Sequence, residues 1–280
     1  MRVTAGGTQI LLFMNRELAV RIEEDMRKGN REVVAAWNSE DSKSAAVSLE
    51  RDGVLAVYGG SDCPINEAVG LGMSKPVKEG TLNAIEDFYA SHGHATVIRV
   101  CPLAHSSLMD MLRQRNYAIS AFTYRWVLDL TAWNSAFDEQ DSRVRVARPD
   151  EEWIWARTVA AGFADVDEGP KTDGMELDRA FFRMPSATSV LAVIDNQPAA
   201  GGVVAVNDGL AALFVTSTRP SFRHLGLQTA LLDWRLRYAK AQGARVATIE
   251  TDVDSNSQRN VERMGFRMAY TVVQMTREEN

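Results

Sequence analysis

The stretch with the most chemical potential runs Arg219-Pro220-Ser221-Phe222-Arg223-His224-Leu225-Gly226-Leu227-Gln228-Thr229-Ala230-Leu231-Leu232. A strand-like run leads into a compact loop, and the loop opens directly into a helix. The first turn of a helix carries backbone N–H groups without intrahelical partners, and the macrodipole adds partial positive charge there. A loop ending at such a turn suits phosphate. Gly226 permits close backbone approach, where a Cβ would obstruct an oxyanion or force a strained φ. From Arg219 to Arg245 the cations are Arg219, Arg223, Arg235, Arg237, Lys240 and Arg245, against Asp233 alone. That local balance fits a small polyanionic ligand. The plainer alternative is that Gly226 only eases the helix start and the cations form a solvated face. Leu227, Ala230, Leu231, Trp234, Tyr238 and Ala241 follow core spacing and are assigned no chemistry.

Other chemistry is thinly represented. The sequence holds no Ser-His-Asp arrangement, zinc-type cluster or paired glycosidase carboxylates, and no metal is expected. Cys63 and Cys101 lack metal-type spacing and read as buried thiols in a reducing cytoplasm. His92, His94 and His105 read as surface residues. The 280 residues carry 31 Lys+Arg against 37 Asp+Glu, a net charge of −6, which argues against sequence-independent nucleic-acid binding. No apolar run approaches the ~18–20 residues of a membrane span. Ile10 to Met14 is too short for a secretory signal and lacks a cleavage site. Residues 1–13 read as a loosely ordered extension of a soluble, cytoplasmic protein.

The elements that must position the loop are legible by period. Asn15 to Gly29 is an amphipathic helix, with Leu18, Ile22 and Met26 on one stripe and Gly29 closing it. Val54 to Tyr58 is a strand, and Ala68 to Met73 is a second, glycine-bearing one. A helix follows from Thr81, its expected N-cap, to Ser91. The strand Thr96 to Val100, a helix through Leu108, Met111 and Leu112, and a strand from Phe122 to Leu130 complete the first half. Residues 131–142 carry no period and read as a linker, packed rather than loose because it holds Trp133 and Phe137. In the second half come a strand at Val144 to Val146, a helix capped by Asp150 and ending near Gly162, and a helix from Met175 to Arg183. Three hairpin-linked strands follow, Ser189 to Ile194, Ala200 to Val206 and Leu210 to Thr216. The loop and a helix from Gly226 to Gln242 come next, then a strand Val246 to Thr251, a short helix to Met264 and a final strand through Tyr270 to Met275.

This order, with Arg223 and Gly226 between the fourth strand and third helix of the second half, resembles the GCN5-related N-acetyltransferase family. Members carry Gln/Arg-x-x-Gly-x-Gly/Ala here; Arg223 and Gly226 match, and Gln228 replaces the small last residue. The run from Ser257 through Asn260 and Val261 to Gly265-Phe266 resembles the family's fourth helix and the start of its last strand. The resemblance covers about residues 143 to 276. It implies an α/β (α+β) fold, a mixed and mostly antiparallel central sheet flanked by helices. It further implies that the amides of Arg223, His224, Leu225, Gly226, Leu227, Gln228 and Thr229 hold the pyrophosphate of acetyl-CoA as cosubstrate. Val215, Thr216 and Thr218 on the splayed fourth strand would pair with the pantetheine arm, and Asn260 would hydrogen-bond it.

Acyl transfer to an amine needs a deprotonated nucleophile, a polarised carbonyl and an acid for the leaving thiolate. Many family members place that acid on a tyrosine where Val261 stands here. The substitutes are Glu250, beside the cleft, as a base, and Tyr270 or Ser255 as hydroxyls. The first half repeats the helix-strand-helix-strand order of the second with Asn116-Tyr117 in place of Gly-Phe, and Gly70 to Pro76 carries no Arg-x-x-Gly. It reads as a degenerate copy over residues 1–130, tandem to an acetyl-CoA-binding copy over 143–280, and could cover the acceptor side of the cleft or form a homodimer surface. The acceptor would be a small-molecule or protein amine; Asp165, Asp167 and Glu168 favour a cationic one. Two alternatives to an N-acetyltransferase stand beside it: a catalytically silent acyl-CoA-binding or regulatory module, and a structural partner with a vestigial cleft.

Overall fold

A computed structural model of the chain describes residues 14–39, 45–171 and 174–277; the opening segment 1–13 lies outside them. Helix α1 (Arg16–Trp37) begins where expected, with Asn15 Oδ1 accepting the Leu18 N–H at 2.9 Å. It does not stop at Gly29. A glycine inside a helix costs about 1 kcal/mol, whereas Val33, Val34 and Trp37 beyond it are all buried, at roughly 1.5–3 kcal/mol for each large apolar side chain. Burial wins, and a Cβ at Gly29 would lie 3.7 Å from the Met184 methyl, an ordinary contact.

The first half continues through β1 (Val47–Arg51), β2 (Val54–Tyr58), β3 (Ala68–Val69), α2 (Glu79–Ala90), β4 (Thr96–Val100), α3 (Ser107–Gln114) and β5 (Ala118–Asp129). The strand expected over Ala68 to Met73 is cut short because Gly70 and Gly72 take φ of +89° and +71°, which no strand residue adopts. Thr81 is not the N-cap of α2; Lys78 holds that position, and the Thr81 hydroxyl donates to Asp52 at 2.6 Å. The second half comprises β6 (Val144–Val146), α4 (Glu152–Phe163), α5 (Glu176–Arg183), β7 (Ala187–Ile194), β8 (Gln197–Asn207), β9 (Leu210–Thr218), α6 (Leu227–Ala241), β10 (Val246–Asp252), α7 (Asn256–Arg263) and β11 (Arg267–Arg277). Before α4, the Glu151 carboxylate rather than Asp150 accepts the Arg148 N–H, at 2.8 Å.

Among the described residues eleven strands form one sheet, in the order β1-β2-β3-β4-β11-β5-β10-β9-β8-β7-β6. Only β3–β4 and β9–β10 pair in parallel, so the sheet is mixed and mostly antiparallel, as the sequence implied. From the central β5–β11 pair outward, the two halves have the same order, except that their last strands have changed places. β5, from the first half, pairs with β10; β11, from the second, pairs with β4.

Alternation along β2 shows how the sheet is clothed. Leu55 and Val57 pack with α1, whereas Val54 and Ala56 pack with α2 and α3. In the second half Val203 faces α4 and Val204 faces α6. Helices α1, α4 and α5 therefore lie on one face, and α2, α3, α6 and α7 on the other. The segment 131–142 is tied to α6: Lys240 donates to the Trp133 carbonyl at 2.5 Å, and Ser135 to the Asp233 carboxylate at 2.6 Å. Trp133 packs against the core, while Phe137 stays exposed.

The exchange predicts that the halves unfold together. Urea unfolding followed by tryptophan fluorescence and by circular dichroism should show one coincident transition. Residues 143–280 expressed alone, lacking β5, should fail to give a cooperative transition.

Candidate functional site

The site grows out of a gap in the sheet. Strands β9 and β10 pair only from Leu210 and Val246 to Leu213 and Ile249, and beyond that they part. On its other side, between the pairs Val203–Phe214 and Gly201–Ser217, β9 places two residues, Val215 and Thr216, where β8 places one, Gly202. The extra residue makes a β-bulge, which bends the strand away from β10. Val215 sits in it with φ +47°, a conformation costing a β-branched residue on the order of 1–3 kcal/mol. Gly162 of α4 lets that helix press on the bulge: a Cβ there would lie 2.5 Å from Ser217 Oγ and 2.9 Å from the Thr218 nitrogen.

The loop after β9 is braced from α4 and its C-terminal turn. Arg219 donates to the carbonyls of Asp167 and Pro198, both at 2.7 Å. Arg223 pairs with Asp165 at 2.5 Å, and the Ser221 N–H donates to Asp167 at 2.9 Å. These two aspartates are thus tied into the loop rather than presented to an acceptor. His224 and Gly226 take φ of +63° and +78°. At Gly226 a Cβ would meet nothing within 4 Å, so glycine is required there by its φ and leaves open space before the helix. It is also the N-cap of α6 and makes no side-chain cap bond, so the amides of the first turn keep no partner within the helix.

Two cavities lie along this surface. The outer one, about 510 Å³, is lined by Thr216, Thr218, Arg223, His224, Gly226, Leu227, Gln228, Thr229 and Asn260. The inner one, about 280 Å³, occupies the gap between β9 and β10 and is lined by Val215, Thr216, Gln228, Glu250 and Asn260, among others. The structure thus brings together most of the residues singled out in the sequence. Leu225 lies outside both; it is exposed, and its carbonyl accepts from Arg143 at 3.0 Å. Ser255 caps α7, accepting the Gln258 N–H at 3.0 Å and donating to Asp252 at 2.9 Å. Tyr270 is buried under α1, donating to Glu23 at 2.7 Å, and lines neither cavity. Burial holds its hydroxyl far above the usual tyrosine range, with Glu23 adding to the effect.

Further residues line these cavities, three of them on α7 with no role assigned from the sequence. Ser257, Arg259 and Arg263 join Asn260 on one face of α7, a polar stripe opposite Val261, which is fully buried in the core. The i, i+3 spacing of Ser257 and Asn260 was the available signal. Phe163 of α4 lines both cavities, and Arg235 of α6 lines the inner one. Arg235 is wholly buried without a carboxylate. It donates to the Leu231 carbonyl at 3.0 Å, to the Val203 carbonyl at 3.1 Å and to Thr216 Oγ1 at 2.6 Å, and its Nη2 has no partner. Burial pulls its pKa down to about 9, which leaves it charged at neutral pH beneath the bulge.

Glu250 belongs to both halves. Arg99 of β4 and Arg125 of β5 reach its Oε2 at 2.5 and 2.6 Å, and Thr123 donates to Oε1 at 2.6 Å. Burial alone would raise its pKa, but the two guanidiniums and these hydrogen bonds prevail and hold it at about 2. So weak a base is poorly matched to removing a proton near neutrality.

A sheet opened by a bulge beside an uncapped helix start leaves a cleft with free backbone amides at its mouth. A sequence model of the acetyltransferase (GNAT) family matches residues 148–266, somewhat under half of the chain. No curated protein matches the chain in sequence. Among solved structures, a GCN5-related N-acetyltransferase from Kribbella flavida aligns with a TM-score of 0.62 at 16% identity, over 92% of this chain and 96% of its own. A tandem GNAT protein from the clavulanic acid biosynthesis pathway aligns at 0.59 and 15%, over 95% and 97%. A GCN5-related N-acetyltransferase from Sphaerobacter thermophilus aligns at 0.57 and 14%, over 93% and 91%. At these identities the likeness is one of fold.

Glu250→Gln should cost about 3 kcal/mol, because it leaves Arg99 and Arg125 buried without their shared anion. A carboxylate whose pKa is depressed on folding contributes stability above its unfolded value, 4.5, and loses it as pH falls toward 2. The melting-temperature gap between wild type and variant should therefore be wide at pH 7 and narrow at pH 3.

Proposed function

We propose that the protein is a cytoplasmic N-acetyltransferase that moves an acetyl group from acetyl-CoA to a primary amine of a small molecule or protein. The observation that carries this reading is the gap between β9 and β10, with the uncapped start of α6 opening onto the cavity at its end. The amides of Leu227, Gln228 and Thr229 fit the pyrophosphate, with Arg223, Arg259 and Arg263 around the same cavity supplying positive charge. The unpaired backbone of β9 past Leu213 fits the amides of the pantetheine arm, in the manner of an added strand. Bound there, the thioester supplies an activated acyl carbon at the inner cavity.

The chain's own groups then have definable tasks. Arg235, charged and held against the bulge, provides a fixed positive field at the inner cavity, the kind of preorganised charge that favours a developing oxyanion. Gln228, where the family carries a small residue, donates to Thr218 Oγ1 at 2.7 Å and so braces the edge of the cavity. Asn260 is placed to reach the arm from α7. The second reading, a silent acyl-CoA-binding module, draws on Val261: a buried valine replaces the tyrosine hydroxyl that many relatives offer to the leaving sulfur.

Isothermal titration tests the shared part of both readings. Acetyl-CoA and CoA should bind the wild type with Kd well below about 1 mM, which corresponds to roughly −4 kcal/mol. Gly226→Glu, which strains a positive φ and sets a carboxylate beside the phosphates, should abolish binding; absence of wild-type binding overturns the proposal. Thiol release with an amine panel separates enzyme from silent module. In the same titration Gln228→Ala should weaken acetyl-CoA by no more than about tenfold, if its role is bracing alone, since one neutral hydrogen bond contributes about 0.5–1.5 kcal/mol.

A further inference from the structure

A third cavity, of about 260 Å³, opens on the α1 side of the sheet and shares Phe214, Val215 and Glu250 with the inner one. It lies where β9 has left β10, so the two cavities meet at the point the acyl carbon would reach. One wall is the second half of the chain, with Phe181 of α5 and Phe214 of β9. The other is α1, from the first half, which contributes Asp25, Met26 and Asn30.

The wall carries three polar groups with unused capacity. Asp25 is half-buried; its described partner is the Asn207 amide, which donates to Oδ1 at 3.1 Å, and no cation pairs with it. Asn30 is 9% exposed and its Nδ2 has no partner. Arg125 Nε is likewise buried and unpartnered, although its Nη2 holds Glu250. The remaining surface is largely apolar. An anion and two idle donors, Asp25 and Asn30 from α1 and Arg125 from β5, set in a largely apolar chamber, describe their ligand by complement: an ammonium, an accepting oxygen and a small hydrocarbon body.

We propose that this cavity is the acceptor site, that it takes a compact primary amine bearing a hydrogen-bond-accepting oxygen, and that Asp25 is the residue that deprotonates it. This rests on the acyl-transfer reading above. The ammonium gives one proton to the Asp25 carboxylate. The freed lone pair forms the C–N bond at the acyl carbon as the C–S bond breaks and its electron pair leaves on sulfur. The second nitrogen-borne proton neutralises the sulfur, and Asp25 returns its proton to water. The first half of the chain thus supplies a catalytic residue to the family domain of the second.

The electrostatics agree with the assignment. Burial pushes Asp25 up to about 6, against the opposing effects of the Asn207 bond and the charges of Lys28 and Arg125, with Glu32 adding slightly. Lys28 is drawn away toward Asp208, 3.7 Å distant. Glu250 shares the cavity but is neutralised by Arg99 and Arg125, while α5 and β9 line it with no charged side chain. Asp25 is therefore the better base of the two carboxylates at this junction.

The test uses the full chain with acetyl-CoA and a matched set: leucinol, isoamylamine (no oxygen) and 4-methyl-1-pentanol (no amine). Leucinol should release thiol, isoamylamine should do so with a higher KM, and the alcohol should not react. Wild-type kcat/KM should fall below about pH 6. Asp25→Asn should lower it by about 10²-fold or more and remove that acid limb, with acetyl-CoA affinity within twofold of wild type. Because a raised carboxyl pKa penalises the charged folded state, Asp25→Asn should also melt higher than wild type at pH 8, with the gain gone at pH 4. Asn30→Leu should raise KM for leucinol and not for isoamylamine. Normal acetyl-CoA binding with no turnover of either amine, or an Asp25→Asn enzyme with wild-type rate and pH profile, overturns the acceptor site; failure to bind acetyl-CoA overturns instead the reading it rests on.

Discussion

Four strands at the middle of the sheet, β4-β11-β5-β10, alternate between the two halves of the chain, and everything else is arranged around that interleaving. A strand inserted between two partners satisfies backbone groups on both of its edges, so removing either β5 or β11 would leave two edges open. The pairing of β5 with β11 extends from Arg267 and Val127 to Thr276 and Ala118, with irregularities near Tyr270 and Met275. It also dictates where charge is buried. Arg99 on β4 and Arg125 on β5 converge on Glu250 of β10, and Gln274 of β11 donates to Glu67 at 3.0 Å beside Arg99. Ions taken so far from water persist only when paired and hydrogen-bonded, and here the pairing exists only if the strands of both halves are in register.

The same region holds the strain. The bulge at Val215, the left-handed residues at His224 and Gly226, and the buried Arg235 follow one another along the end of β9, the loop and α6, beside the opening between β9 and β10. Arg235 occupies space that glycine provides: a Cβ on Gly202 would lie 3.1 Å from its Nη1. Without that cation the bulge would lose two hydrogen bonds, to Val203 and Thr216, at the wall of the inner cavity. The aspartates that brace the loop, Asp165 and Asp167, come from the end of α4, which the glycine at 162 allows to sit close. The site is therefore held from beneath by a helix cation and from the side by a helix-end pair of anions.

Much of this was legible in the residues. The Arg223–Gly226 loop, the β-branched strands at 54–58 and 96–100 and the element order all follow from local period and turn chemistry. What stayed hidden is what local pattern does not encode. Alternation along β5 and β11 says which face each side chain takes, not which strand lies alongside, so their exchange could not be read. The stop at Gly29 failed because tertiary burial of Val33, Val34 and Trp37 outweighs one glycine's penalty. Asp25 looks like a member of a solvated helix face, and Asn30 like a residue beyond the helix end, until α1 is seen to run on to Trp37 and α5 and β9 are laid over both. Tyr270 was weighed as a hydroxyl near the cleft, but its strand faces α1 and Glu23 at that point.

The exchange has a consequence in time as well as space. β4 ends at Val100, and the strand that covers its edge begins only at Arg267. At a synthesis rate of about 5–20 residues per second, the interval is on the order of ten seconds or more. Throughout it, the edge of Thr96 to Val100 and the apolar residues of β5 must wait on the ribosome without their neighbours. Exposed strand edges of this kind invite pairing with other chains. The nascent protein thus passes through a window in which the first half is made but cannot close, and a holding chaperone would find its substrate there.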